Sequence, residues 1–165
     1  MGILDDIKAN AVTELHLSND PDDYFTTSKD FADAMAENTS IKEVIFDGEF
    51  LACSKGDDRA TIVSSVGGLP NVEKVVLKDS LLMIGVCVAN LTKNAKKLSD
   101  LTLSSCTLQG TPSDFDMFVN ALKENDVIKS VHISESHAPH DGVDLGKVMN
   151  ELREGLSIDI SGAGA

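Results

Sequence analysis

Aromatic residues are the first thing this chain has little of: they make up 4% of it, with no tryptophan and a single tyrosine. That excludes a core organised around large rings and leaves Leu, Ile and Val to fill it, which suits a repetitive architecture. Basic residues are also short, 14 Lys and Arg against 27 Asp and Glu, for a net charge of −13. Phosphate backbones and anionic lipid surfaces are held by clustered cations, so nucleic acid and membrane surface are not expected partners. Such acidity either keeps the chain in solution or steers in a partner with a basic surface. Cysteines number only three, Cys53, Cys87 and Cys106, with no CxxC pair. An odd count without that spacing excludes a disulfide framework and predicts reduced thiols in an intracellular, most simply cytoplasmic, setting. The N-terminal "MGILDDIKAN" lacks the basic flank and apolar stretch of a secretion signal, and Asp6 stands where a myristoylation signal needs Ser or Thr. No run reaches the roughly 20 apolar residues that cross a bilayer. The most apolar stretch, "LLMIGVCVANL" from Leu81, is about half that, so direct membrane insertion is not expected.

What the chain does have is one pattern written five times. "VTELHL" from Val12, "IKEVIF" from Ile41, "VEKVVL" from Val72, "LSDLTL" from Leu98 and "IKSVHI" from Ile128 carry apolar residues at their first, fourth and sixth positions. A weaker sixth copy, "GLSIDI", starts at Gly155. Each centre alternates apolar and polar, the period of a half-buried strand. Beyond the segments another apolar residue recurs, as Leu51, Leu82 and Leu108, with Ala138 a weaker match.

Between these segments lie helical patterns that end in Asn. Phe31, Ala34, Met35 and Asn38 share a register, as do Cys87, Leu91 and Asn94, and Phe118, Ala121, Leu122 and Asn125. Asn tolerates the left-handed backbone that stops a helix, and is expected to act that way here. Thr111-Pro-Ser-Asp114 reads as a helix start, with Thr as N-cap and Pro at the first helical position. Leu145, Val148, Met149 and Leu152 predict a last amphipathic helix, and Ile3, Leu4 and Ile7 a first one. Within "LLMIGVCVANL" the expectation is a turn and then a helix, with Ile84, Cys87, Val88 and Leu91 toward the core. No unit of 26 to 31 residues can bury its own apolar face, so stacking is required.

The segment "LSDLTLSSCTLQG" resembles the leucine-rich repeat, LxxLxLxxN/CxL, with Cys106 at the N/C position. Unit length, intervening helices and Gly85 resemble the ribonuclease-inhibitor-like subclass. That resemblance implies an α/β leucine-rich-repeat solenoid of five repeats plus a partial sixth, with parallel strands on the concave face and helices on the convex face. Residues 1–165 would form one domain: a capping helix over 1–11, repeats over 12–160 and a flexible tail over 161–165. The N/C position holds Asp20, Glu49, Ser80 and Ser136 in the other repeats, so irregular turns are expected there. "VTELHLSND" and "KDFADAMAENTSIKEV" are similar, more narrowly, to the opening of the leucine-rich domain of tropomodulins and leiomodins, which cap or nucleate actin filaments. The tropomyosin-binding half of those proteins is absent.

Function is expected to be non-enzymatic: a scaffold or docking subunit that binds a protein through a rigid acidic surface. Inhibition of a basic enzyme or a tropomodulin-like actin cap is the alternative. The concave face would present Glu14, His16, Glu43, Ile45, Asp47, Lys74, Val76, Lys78, Thr102 and His132, with Ile45 and Val76 as an apolar hot spot. Glu43–Lys74 and Asp47–Lys78 would pair across strands. Met83 and Val86, which the inward helical face leaves out, could form a second docking surface. No cofactor is expected, and catalytic signatures are missing: no Walker A, GxGxxG, HExxH or GxSxG pattern occurs. His16 and His132 lie four strands apart, roughly 19 Å at about 4.8 Å per step, too far for one catalytic task. His137, His140, Asp141 and Asp144 read as a solvated loop, with a metal site as the sharper alternative.

Overall fold

In the computed structural model, residues 2–18, 27–47, 50, 56–136 and 157–161 are described. The chain is α/β, with a six-stranded parallel sheet covered by helices. The strands are β1 (Glu14–Leu17), β2 (Glu43–Phe46), β3 (Lys74–Lys78), β5 (Asp100–Ser104), β7 (Ser130–Ser134) and β8 (Ser157–Ser161). They lie side by side in chain order, each parallel to the last. Two short strands, β4 (Leu81–Met83) and β6 (Thr107–Gln109), pair with each other as a second parallel sheet. The helices are α1 (Ile3–Lys8), α2 (Ser28–Glu37), α3 (Gly56–Gly67), α4 (Ala89–Asn94) and α5 (Pro112–Glu124), each packed on the next.

All six segments read as strands are strands of one sheet, and their alternation sets which face is buried. Leu15 and Leu17, Val44 and Phe46, Val75 and Leu77, Leu101 and Leu103, Val131 and Ile133 all point into the core. Their neighbours in sequence point the other way, because successive strand side chains alternate faces. The helices cover the apolar side. Phe31, Ala34 and Met35 of α2, and Phe115, Phe118, Ala121 and Leu122 of α5, are buried against it. Each of the larger side chains, the Phe, Met and Leu residues, contributes about 1.5–3 kcal/mol on leaving water.

Aliphatic residues were expected to fill this core alone. Instead Phe31, Phe46, Phe50, Phe115 and Phe118 are all fully buried. Three of them cluster, with ring centroids 4.8 Å apart for Phe46 and Phe50 and 6.1 Å for Phe31 and Phe46. Aromatics are few, but nearly all of those described are core, so composition understated their weight.

The helix ends need a second correction. Asn38 and Asn125 do end α2 and α5, but in extended conformation, with φ of −88° and −91°. Their buried carboxamides stop the helices instead. Asn125 Nδ2 donates to the carbonyls of Thr92 (2.8 Å) and Ala95 (3.0 Å), at the end of the preceding helix α4. Its Oδ1 accepts from the N–H groups of Val127 (3.0 Å) and Ile128 (3.3 Å), which lead into β7. Asn38 does the same, donating to Ile7 of α1 and accepting from Ser40 and Ile41. One side chain thus ties two successive helix ends and the next strand together. Asn94, placed in the same register from sequence, is exposed, and α4 runs through it to Ala95. The left-handed stop does occur once, at Asn10 after α1 (φ 56°).

The turns after β3 and β7 are as regular as the one after β5, against expectation. Asp79, Ser105 and Glu135 adopt φ of 52°, 53° and 51°. The next residues, Ser80, Cys106 and Ser136, are buried and satisfy the loop backbone from within. Ser80 Oγ donates to the Lys78 carbonyl (2.7 Å), and Ser136 Oγ to that of Ser134 (3.1 Å). The Cys106 thiol lies 3.3 Å from the carbonyl of Leu77, and its N–H donates to Ser136 Oγ (3.0 Å). A serine hydroxyl therefore suffices where an Asn or Cys was expected. Asp20 and Glu49, the other two such positions, lie outside the described residues.

"LLMIGVCVANL" is a strand, a π-helical turn (Ile84–Val88) and α4 in direct succession. The absence of a strand here was the wrong expectation: β4 pairs with β6 through Leu82 and Leu108, both fully buried. Ile84, Cys87, Val88 and Leu91 do face the core. The N-terminus of α5 then sits tightly over this turn. A Cβ on Gly110 would lie 2.6 Å from Ile84 Cγ2, and one on Gly85 would lie 2.8 Å from Asp114 Oδ1. Asp114 is itself held in the predicted capping box with Thr111.

Helix α1 forms as expected, with Ile7 buried. The predicted helix over Leu145–Leu152 lies outside the described residues, as does the tail beyond Ser161; Ser161 itself belongs to β8 and not to that tail. Among the described residues, no helix is long and apolar enough to cross a membrane.

Candidate interaction face

Because the helices take one side of the sheet, the other side presents its side chains in straight rows. In-register pairing aligns Glu14, Glu43, Lys74, Asp100, Ser130 and Ser157 in the first row. The second row is His16, Ile45, Val76, Thr102, His132 and Asp159. The third continues through Lys78, Ser104, Ser134 and Ser161, with Asp47 just past the end of β2. The expected residues other than Asp47 thus take register positions on this side of the sheet.

Their exposures differ in a way the pattern alone does not show. Glu14, His16 and Lys74 are exposed, and Glu43, Ile45, Asp47, Lys78, Thr102 and His132 are half-buried. Val76 is only 7% exposed, although it lies on the side of the sheet away from the described helices. It sits mid-sheet, between Ile45 and Thr102 across the strands and Lys74 and Lys78 along its own strand. Longer same-face neighbours of this kind screen a short Val from water. The apolar centre available to a partner is therefore Ile45.

Charge on the face is arranged unevenly. Lys74 Nζ stands 3.7 Å from Glu43 Oε1, the expected cross-strand pair, with both side chains substantially exposed. Such a pair contributes at most about 1 kcal/mol. A second contact was not anticipated: His132 Nε2 lies 3.8 Å from Asp100 Oδ1. The two residues are diagonal neighbours in adjacent rows, so a column-by-column reading keeps them apart. That Asp100 oxygen is buried, and among the described residues it accepts no hydrogen bond. Apart from Asp100 and His132, the face at β5 and β7 is hydroxyl-rich, with Ser134 Oγ 3.4 Å from Ser104 Oγ.

On the helical side, Met83 is 45% exposed, as expected of a residue left off the inward face. Leu81, Met117 and Val127 are exposed too, a feature the sequence did not flag. Their positions, on β4 and on or just after α5, only become comparable once the elements are packed. A shallow recess between α4 and α5 is lined by Asn90, Lys93, Met117, Asn120 and Glu124. Ala89 is buried, and the side chain of Val86 lies outside the described residues.

Cys87 and Cys106 are both buried, and among the described residues neither is in a disulfide. Burial pushes the Cys106 thiol above its ordinary range, against the smaller opposing effect of hydrogen bonds from the backbone. That is the setting of an inert structural thiol. Among the described residues no group of His, Cys, Asp and Glu is arranged to hold a metal; His137, His140, Asp141 and Asp144 lie outside them. Comparison with known proteins found no matching family model and no matching curated sequence.

Proposed function

We propose that the chain is a leucine-rich-repeat solenoid of the ribonuclease-inhibitor-like kind, five repeats and a partial sixth. On this reading it works as a non-enzymatic protein-interaction module. The observation that carries the reading is the open side of the sheet, where in-register strands hold rows of polar and charged side chains on a rigid backbone. A preformed surface of this kind loses little freedom on association, so more of its contact energy appears as affinity. The six strand segments at 26 to 31 residues and the three equivalent turns support the repeat assignment. The buried Cys87 and Cys106 thiols, without a disulfide among the described residues, fit an intracellular setting. The role follows as scaffold or docking subunit. The net charge of −13 favours a partner with a basic surface, an inhibited enzyme included.

Site-specific photo-crosslinkers placed at Ile45, Thr102 and Met117 test this in extract from the native cell. Crosslinks to one protein from the first two positions and not from Met117 would support the open face. The opposite distribution would move the function to the helical side. Pyrene-actin assembly altered by the purified chain would favour the filament-capping alternative.

A further inference from the structure

The open face carries a charge conflict at one end. Glu14 of β1 and Glu43 of β2 are direct register partners, and both side chains point away from the core. Directly opposed residues on neighbouring strands stand about 5 Å apart, and like charges there are unfavourable. Lys74 answers only one of them: it reaches Glu43 from the far side and is itself in register with Asp100. The first row thus holds three carboxylates and one ammonium, and among the described residues no cation lies within ion-pairing distance of Glu14. One step along each strand, the same side presents His16 beside Ile45, the apolar centre of the face.

We infer that the β1–β2 end of the open face is the docking point for a protein segment that presents a Lys or Arg side chain next to an apolar one. The cation sits between Glu14 and Glu43, and the apolar group lies against Ile45 and the His16 ring. The complementarity is specific to this end, because β3 carries Lys74 and Lys78 while β5 and β7 present mainly hydroxyls. The inference rests on the reading of that face as the interaction surface, and it adds the partner's chemistry and its anchoring position. A cation in that position relieves a repulsion the free protein carries, so its contribution exceeds that of a pair formed on a neutral surface.

The test is random-peptide display against the full chain, followed by titration of the strongest selected peptides. Selected peptides are expected to place Lys or Arg beside an aliphatic or aromatic residue and to bind more weakly as salt rises. Glu14→Gln with Glu43→Gln should weaken them at least about fivefold, on the scale of two partly exposed ion pairs. Thr102→Arg, two strands from Ile45 on the same face, should weaken them less than the Glu changes do. Thermal melts establish that each variant is folded. Peptides lost on Thr102→Arg but indifferent to the Glu changes would overturn this inference and leave the open face as the interaction surface. Peptides indifferent to all of these but lost on Met117→Lys would overturn both. A library that yields no basic-apolar peptide, or calcium alone binding at the Glu pair, counts against the inference.

Discussion

Replacing Asn125 separates two accounts of how the helices of this protein end. If Asn serves by adopting a left-handed backbone, glycine should do at least as well, since it enters that region without steric cost. In the structure Asn125 has φ of −91° and acts through its side chain. It supplies two donors to Thr92 and Ala95 and two acceptor contacts to Val127 and Ile128, in a site that is only 9% exposed. Asn125→Ala strands four main-chain groups at once. At a net value near 1 kcal/mol per bond, and more where a buried group finds no water, the loss comes to about 3–5 kcal/mol. Against a typical total stability of about 5–15 kcal/mol, that is a large fraction. Asn125→Gly should be at least as damaging, since it also loosens the unfolded chain. Asn125→Asp should not rescue, because a carboxylate would face the two carbonyls that now receive N–H bonds. Urea unfolding followed by circular dichroism measures this as a fall in midpoint at unchanged slope. Wild-type stability in Asn125→Gly would refute the side-chain account.

Other consequences can be checked independently. Gly110→Ala places a methyl 2.6 Å from Ile84 Cγ2, so it should destabilise by about 1–3 kcal/mol, whereas Gly2→Ala, with open space around it, should be neutral in the same unfolding assay. Asp114→Ala removes half of the capping box with Thr111 and should lower stability by about 1 kcal/mol. Cys106 should resist iodoacetamide in the native state and react on unfolding, as mass spectrometry would show. Its folded-state thiol titrates above the unfolded value of 9.0, so its contribution is complete below that pH and lost as pH rises through the folded value. Alkaline melts should therefore fall less steeply in Cys106→Ser than in wild type.

Much of this molecule was legible in one dimension because its contacts are local and recurrent. Apolar residues at the fourth and sixth places of six segments, and at the first place of five, were enough to place every strand of the main sheet and the inward face of the first five. They also put Glu14, Glu43 and Lys74 in one row and His16, Ile45 and Val76 in the next, since register follows when one face must be buried. The Thr111–Asp114 capping box was readable for the same reason: its partners lie within one helical turn.

What the sequence could not decide depends on groups brought together across units. Asn38 and Asn125 marked helix ends correctly, but their partners lie some thirty residues away, so the local rule of a left-handed stop was the wrong one. Ser80, Cys106 and Ser136 form regular turns because small buried hydroxyl and thiol groups find carbonyls on their own and adjoining strands. Val76 is hidden and Ile45 is not, although both are β-branched residues in one row, because shielding depends on the length of four neighbours in the sheet plane. The Asp100–His132 contact is diagonal between rows, and the exposure of Met117 and Leu81 depends on helix and strand packing. Periodicity along the chain determines which way a side chain points. What it meets there is decided by the elements stacked beside it.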